Sequence, residues 1–135
     1  VLVPFFATLF GGLVANLLFG IWSIVGFLVT GLGDAVGEPV GVRFGKHHYR
    51  VPARRGVPTT RTLEGSLAVF IMCCLAIVLG IRLVSGLWVP ATDLGRVALA
   101  GFVCTLIEAS APHGWDNALL QVGGAAVVSL FWLGI

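Results

Sequence analysis

Residues 65–87 read GSLAVFIMCCLAIVLGIRLVSGL. Arg82 is the only charge in this stretch, and it lies about one turn from its end. Roughly 20 apolar residues in a helix match the hydrocarbon thickness of a bilayer. The stretch therefore predicts a transmembrane helix. Arg82 is placed to snorkel to the interface, and Trp88 with Pro90 after it marks a membrane boundary.

The composition extends this reading to the whole chain. Of 135 residues, 58% are hydrophobic and 10% are charged. An ordinary soluble domain carries about 25% charged residues, so this chain has too little polar surface to face water as one. Disorder, which needs low hydrophobicity and high charge, is excluded by the same numbers. The expected fold is all-α: a polytopic transmembrane bundle of about four spans in one membrane domain, residues 1–135. The spans are expected at residues 13–32, 65–87, 94–109 and 117–133. Residues 1–10 read as the end of an earlier span, with Gly11-Gly12 as the break. With Val1 in place of an initiator Met, the chain is expected to be an N-terminally shortened copy of a larger bundle. Cys73, Cys74 and Cys104 lie in apolar runs and read as small packing residues, not as a disulfide framework.

Charge is unevenly distributed. Six of the eight basic residues lie between Arg43 and Arg61: Arg43, Lys46, Arg50, Arg54, Arg55 and Arg61. The polar loop expected at residues 33–64 holds all of them, so the positive-inside rule places it in the cytoplasm. Two spans separate it from the polar break at residues 108–116. By parity that break opens on the same face.

That face collects the residues able to do chemistry. Asp34 and Glu38 are four apart and share a face if the segment is helical, although Pro39 biases Glu38 away from helix. Two carboxylates beside phosphate-binding cations suit a magnesium–phosphate site. Alternatively, Asp34 caps a helix and Glu38 pairs with an Arg. Glycines at 31, 33, 37, 41 and 45 allow a close backbone approach to a ligand. No Gly-Lys-Ser/Thr follows, so this is not a Walker loop. The basic cluster suits topology, anionic lipid or nucleotide phosphates. Nucleic acid is not an expected partner. His47 and His48 lack neighbours at zinc-ligand spacing. Thr62 is positioned to cap the helix that follows. Glu64 lies two residues on, where a capping box would need three, so capping does not fully account for it. Glu108 stands at the end of an apolar span, either as a functional group or in a structural pair with an Arg. Pro112 and Gly114 break the helix before Asp116. His113 reads as a base, a phosphate donor or a loop residue, and Trp115 as an interface anchor.

Three motifs in order then carry a resemblance. Gly33-Asp34-Ala35 with Gly41-Val42-Arg43-Phe44-Gly45-Lys46, then Arg61-Thr62-Leu63-Glu64-Gly65-Ser66, then Glu108 through Pro112-His113-Gly114-Trp115-Asp116-Asn117 resemble the CTP-dependent polyprenol kinase family. That family includes dolichol, phytol and CTP-dependent diacylglycerol kinases. The motif order also resembles the phosphatidate cytidylyltransferases. Leu63 in place of Trp, the single Arg61, and Asp116-Asn117 in place of Asp-Arg favour the kinases.

The resemblance implies transfer of the γ-phosphoryl of CTP to an isoprenoid or other lipid alcohol, with Mg²⁺, at the cytoplasmic face of the bilayer. It implies Asp34 and Asp116, with Glu38, at the metal. Arg43, Lys46 and Arg61 would hold phosphate oxygens, helped by backbone around Gly33 and Gly65, with Glu64, Ser66 and Asn117 in the nucleotide site. The base for the lipid hydroxyl stays open among Asp34, Glu108 and His113. A small transporter or structural membrane subunit is the non-enzymatic alternative. It is disfavoured because the polar residues gather at one face with no midplane site.

Overall fold

A computed structural model describes residues 2–51, 60–112 and 114–132. Among these, five α-helices follow in order: α1 Leu2–Phe19, α2 Ser23–Phe44, α3 Leu63–Ser85, α4 Leu94–Ser110 and α5 Asp116–Trp132. Two three-residue strands, β1 His48–Arg50 and β2 Thr60–Thr62, pair antiparallel between α2 and α3. Helices α2, α3, α4 and α5 each pack on the next and close into a ring, and α1 lies against α5. The fold is all-α apart from this small hairpin.

Helix α3 shows how the sequence builds the bundle. Thr62 is its N-cap, with the Oγ1 accepting from the Gly65 amide at 3.1 Å. Gly86 ends it in the left-handed conformation, at φ 74°, which costs glycine little. Arg82 in the last turn donates to the Gly86 carbonyl and lies 5.5 Å over the Trp88 ring. One face of α3 buries Gly65, Val69, Cys73, Ala76, Ile77, Gly80 and Ile81. The opposite face exposes Leu67, Ile71, Leu75, Leu79 and Leu83. Glycine, alanine and cysteine thus share the packed face with Val69, Ile77 and Ile81, while four leucines and Ile71 stand outside. Such an apolar outer row suits contact with lipid, where there is no hydrophobic drive to hide leucine. The run Leu2–Phe44, which includes the 3₁₀ turn Gly20–Trp22, and the helix Leu63–Ser85 are long and apolar enough to cross a membrane. Helices α4 and α5 have 17 residues each, slightly short of the roughly 20 of a typical span.

The structure corrects three sequence expectations. The first span does not run from 13 to 32, because the break falls at Gly20–Trp22. Gly20 has φ +54° with open space around it. Gly11-Gly12 lies inside α1. A Cβ on Gly11 would stand 2.4 Å from the Ala118 Cα of α5, so Gly11 serves close packing. The polar loop does not begin at Gly33. Helix α2 continues through Pro39 to Phe44, and the non-helical stretch starts at Gly45. The reason is tertiary: Gly33, Gly37 and Gly41 recur every four residues and lay α2 onto α3. A Cβ on Gly37 would stand 2.6 Å from a Val69 methyl, and one on Gly65 would stand 2.8 Å from the Gly37 carbonyl. Packing of this face holds a helix that local preference alone would end. Residues 94–109 and 117–133 are close to the observed α4 and α5.

Glycine positions at the interface and on the surface should respond oppositely to substitution. A Cβ on Gly26 would stand 2.1 Å from the Gln121 carbonyl, while one on Gly31 meets nothing within 4 Å. Gly26→Val should destabilise the bundle by at least about 1–3 kcal/mol through overpacking. Gly31→Ala should be neutral or stabilising by up to about 1 kcal/mol. Unfolding midpoints in detergent measure both.

Candidate functional site

The hairpin is fixed to the helix ends by contacts from both strands. Its register sets Tyr49 opposite Arg61, so their side chains leave the same face. The Tyr49 hydroxyl meets the Ser66 hydroxyl of α3 at 2.6 Å. Arg61 forms an ion pair with Glu108 of α4, and its second amino group lies 3.4 Å from Asp116 of α5. At the hairpin entry, the His47 ring and backbone N–H both donate to the Glu64 carboxylate, at 2.7 and 3.3 Å. The Leu63 amide donates to the His47 carbonyl at 2.9 Å. Glu64, which capping did not account for, thus latches the hairpin.

Helix polarity explains why Arg61 is needed. Asp116 is the first residue of α5 and Glu108 lies in the last turn of α4. A carboxylate is favoured at a helix N-terminus and disfavoured at a C-terminus. A cation between them offsets the charge of Glu108 and its repulsion with Asp116. Asp116 also accepts from the Asn117 amide at 3.0 Å. The Arg61, Glu108 and Asp116 side chains are each only 15–17% exposed.

Below the hairpin lies a cavity of about 410 Å³. Asp34, Glu38, Arg61, Glu108 and Asp116 line it, together with His48, Thr60, Thr62 and Ser66. Gly33, Gly37, Gly41 and Gly65 form its backbone wall, and Val42 and Val69 also belong to the lining. Asp34 and Glu38 share the cavity face of α2, as their spacing predicts. The three sequence motifs therefore meet at one end of the bundle, around one cavity.

Other expected residues lie elsewhere. Arg43 and Lys46 do not line the cavity. Arg43 is two residues past Gly41, about 200° around a helix, and its guanidinium is 5.5 Å over the Phe44 ring. Lys46 is exposed at the hairpin entry. Asn117 ties α5 to α1, donating to the Thr8 hydroxyl at 3.1 Å. The Gly65 amide is already bonded within the chain to Thr62, so this helix end offers a phosphate less than its glycine suggests. Arg54, Arg55 and His113 lie outside the described residues. Tyr49, the single tyrosine, escaped the sequence reading because it sits among basic residues in a strand of only three. His48, weighed only as a zinc ligand, lines the cavity. Among the described residues, no three acidic, histidine or cysteine side chains are grouped to hold a metal unaided.

Among the described residues these features define a helical bundle, apolar on its outside, with a small hairpin and a charged cavity at one end. The chain is similar to the phytol kinase of Synechocystis sp., with 30% identity over 141 residues, 96% of this chain and 57% of the relative. The chain spans little more than half the length of that relative. No family profile and no solved structure matches it. The similarity supports the kinase side of the two resemblances.

The Tyr49–Ser66 contact has a direct test. Tyr49→Phe and Ser66→Ala should each lower stability by about 0.5–1.5 kcal/mol. The double variant should lose clearly less than the sum, since both changes remove one interaction. Unfolding of the four proteins in one detergent measures the coupling.

Proposed function

We propose that this chain carries the site of a membrane lipid kinase that moves the γ-phosphoryl of CTP to an isoprenoid or other lipid alcohol with Mg²⁺. The observation that carries the proposal is the convergence of Asp34, Glu38, Arg61, Glu108 and Asp116, from three separate segments, on one cavity. The similarity to a phytol kinase supports the reaction class. In this reading α2 to α5 each cross the bilayer, and the hairpin and the α4–α5 turn open together on the cytoplasmic face. The basic residues of the hairpin region support that orientation.

Phosphoryl transfer needs positioning and charge stabilisation more than covalent chemistry by the protein. Mg²⁺ with a nucleotide takes one or two protein carboxylates and fills its other positions with phosphate oxygens and water. The lining offers hard oxygen donors, and one or two of Asp34, Glu38 and Asp116 would hold the ion together with oxygens of the substrate phosphates. Bound there, it would offset charge on the phosphates during transfer. Among the described residues of the lining, Arg61 suits a bidentate phosphate contact, with His48 as a further donor. Asp34 and Glu108 are the lining carboxylates suited to take the hydroxyl proton. Val42, an exposed apolar residue of the lining, is where an apolar tail would meet the cavity, and the bulky outer surface would leave the rest of that tail in lipid.

Full-length protein in lipid should transfer label from γ-³²P-CTP to phytol or a polyprenol and release CDP. Asp34→Asn and Asp116→Asn should each lower turnover by at least about a hundredfold in folded protein. Arg96→Gln should retain it, since Arg96 pairs with Asp93 away from the cavity. Entry of α-³²P label into lipid from phosphatidate, with pyrophosphate released, would replace the kinase by a cytidylyltransferase.

A further inference from the structure

We infer that the end of α2 and the strand beside it form a docking surface for anionic phospholipid. Arg43, Lys46 and Arg50 meet the head-group phosphates, and Val42 and Phe44 enter the apolar layer beneath them. The inference rests on the reading that the helices cross a bilayer, and it adds the class of lipid that one edge of the bundle selects. It does not depend on the kinase reaction.

The charges come first. Arg43, Lys46 and Arg50 are exposed and stand outside the cavity lining. The chain has six acidic residues, and none of them is ion-paired with these three cations. Glu64 meets His47, Glu108 and Asp116 meet Arg61, and Asp93 meets Arg96. Asp34 and Glu38 line the cavity. The sequence between Arg50 and Thr60 adds no acid. Arg43 is in the last turn of α2, where the helix dipole favours a cation. Lys46 and Arg50 lie past that helix and have no such reason to be basic. Three exposed cations without an acidic partner repel one another and gain by meeting fixed negative charge.

The depth of the patch points to lipid as the source of that charge. A Cβ on Gly41 would stand 2.8 Å from the Thr62 hydroxyl, and one on Gly45 would stand 2.5 Å from the Thr62 methyl. The end of α2 therefore lies beside the N-cap of α3. The other end of α3 carries Arg82 over the Trp88 ring. The 23 residues of α3 span about 34 Å, close to the roughly 30 Å of a hydrocarbon layer. A cation over an aromatic ring thus stands at each edge of one apolar span, Arg43 over Phe44 at one and Arg82 over Trp88 at the other. Such groups are favoured where lipid tails meet head groups. Val42 and Phe44 are 82% and 58% exposed beside the cations, an apolar contact that lipid covers. The two edges differ in charge. At the Arg82 edge, Arg96 is matched by Asp93. The unmatched cations gather at the α2 edge, so that edge prefers an anionic lipid to a zwitterionic one.

The test reads lipid quenching of a fluorophore in full-length protein reconstituted in phosphatidylcholine vesicles. One preparation carries the fluorophore at Thr60→Cys, paired with Arg50 across the hairpin. A second carries it at Thr92→Cys, an exposed residue between Trp88 and Arg96. Protein without the added cysteine gives the labelling background. The probes are phosphatidylglycerol and phosphatidylcholine, each with a nitroxide high on its acyl chain and at the same minor fraction. At position 60, phosphatidylglycerol should quench at least about threefold more strongly than phosphatidylcholine, within the enrichment that one surface cation supplies. High salt should remove most of the difference, and position 92 should show little preference. Arg43→Gln, Lys46→Gln and Arg50→Gln together should bring the ratio at position 60 close to one. Arg43→Lys with Arg50→Lys should keep it, since charge rather than a guanidinium fork is required. Equal quenching by the two lipids at position 60 overturns the inference. A preference that survives the triple variant, or that is as large at position 92, overturns it too. If the triple variant does not reconstitute, Lys46→Gln with Arg50→Gln decides, and an unchanged ratio overturns the inference. No quenching by either lipid at both positions would sink the membrane reading with it. Kinase activity is measured on the unlabelled protein: an active kinase without the lipid preference refutes this inference alone, and the preference without activity refutes only the proposed function.

Discussion

The ion pair of Arg61 with Glu108, extended toward Asp116, joins parts of the chain that sequence keeps far apart. One partner sits in a hairpin strand, one at the end of α4 and one at the start of α5. Breaking one side of a shielded pair leaves an uncompensated charge, which is costly. Glu108 is also at the helix end where a carboxylate is least favoured. Arg61 therefore closes the α4–α5 turn and seats the hairpin over the cavity. The Tyr49 and His47 contacts hold the same hairpin to α3. Among the described residues, Arg61 thus comes together with Glu108 and Asp116 at the cavity that Asp34 and Glu38 also line.

The second constraint is close packing of α2 on α3. Gly33, Gly37 and Gly41 on one side and Gly65 on the other bring the two backbones near. The same glycines form a wall of the cavity. Small residues let the helix backbones approach closely, and valines, Ile77 and Leu120 fill the core between them. Thr8 with Asn117 is a polar contact between α1 and α5.

Much of this was legible in the sequence because strong signals agreed. The apolar run of α3, the Thr62 cap and the boundaries of α4 and α5 follow from hydropathy and punctuation. The gathering of Asp34, Glu38, Arg61, Glu108 and Asp116 on one face followed from parity and motif order. What failed were local signals overridden by tertiary packing. Gly11-Gly12 looked like a break but packs on Ala118, while the lone Gly20 takes the positive φ. Pro39 looked like a helix end but lies where α2 is held against α3. The four-residue spacing of Gly33, Gly37 and Gly41 could have revealed this, read as a packing stripe rather than a ligand loop. The hairpin was hidden because three-residue strands have too short a period to detect. With it, the roles of Tyr49 and of the His47–Glu64 latch stayed out of view.

Charge exchange at the central pair tests most directly whether Arg61 and Glu108 hold the site together. Arg61→Glu places a third acid beside Glu108 and Asp116, and Glu108→Arg places a second cation beside Arg61. Each should lower the thermal midpoint in detergent. The double variant restores an opposite-charge pair and should be more stable than either single variant, with a coupling well above the roughly 0.5 kcal/mol seen for independent sites. A double variant as damaged as the sum of the two would show that the pair does not hold the hairpin to the helix ends, and would contradict the account.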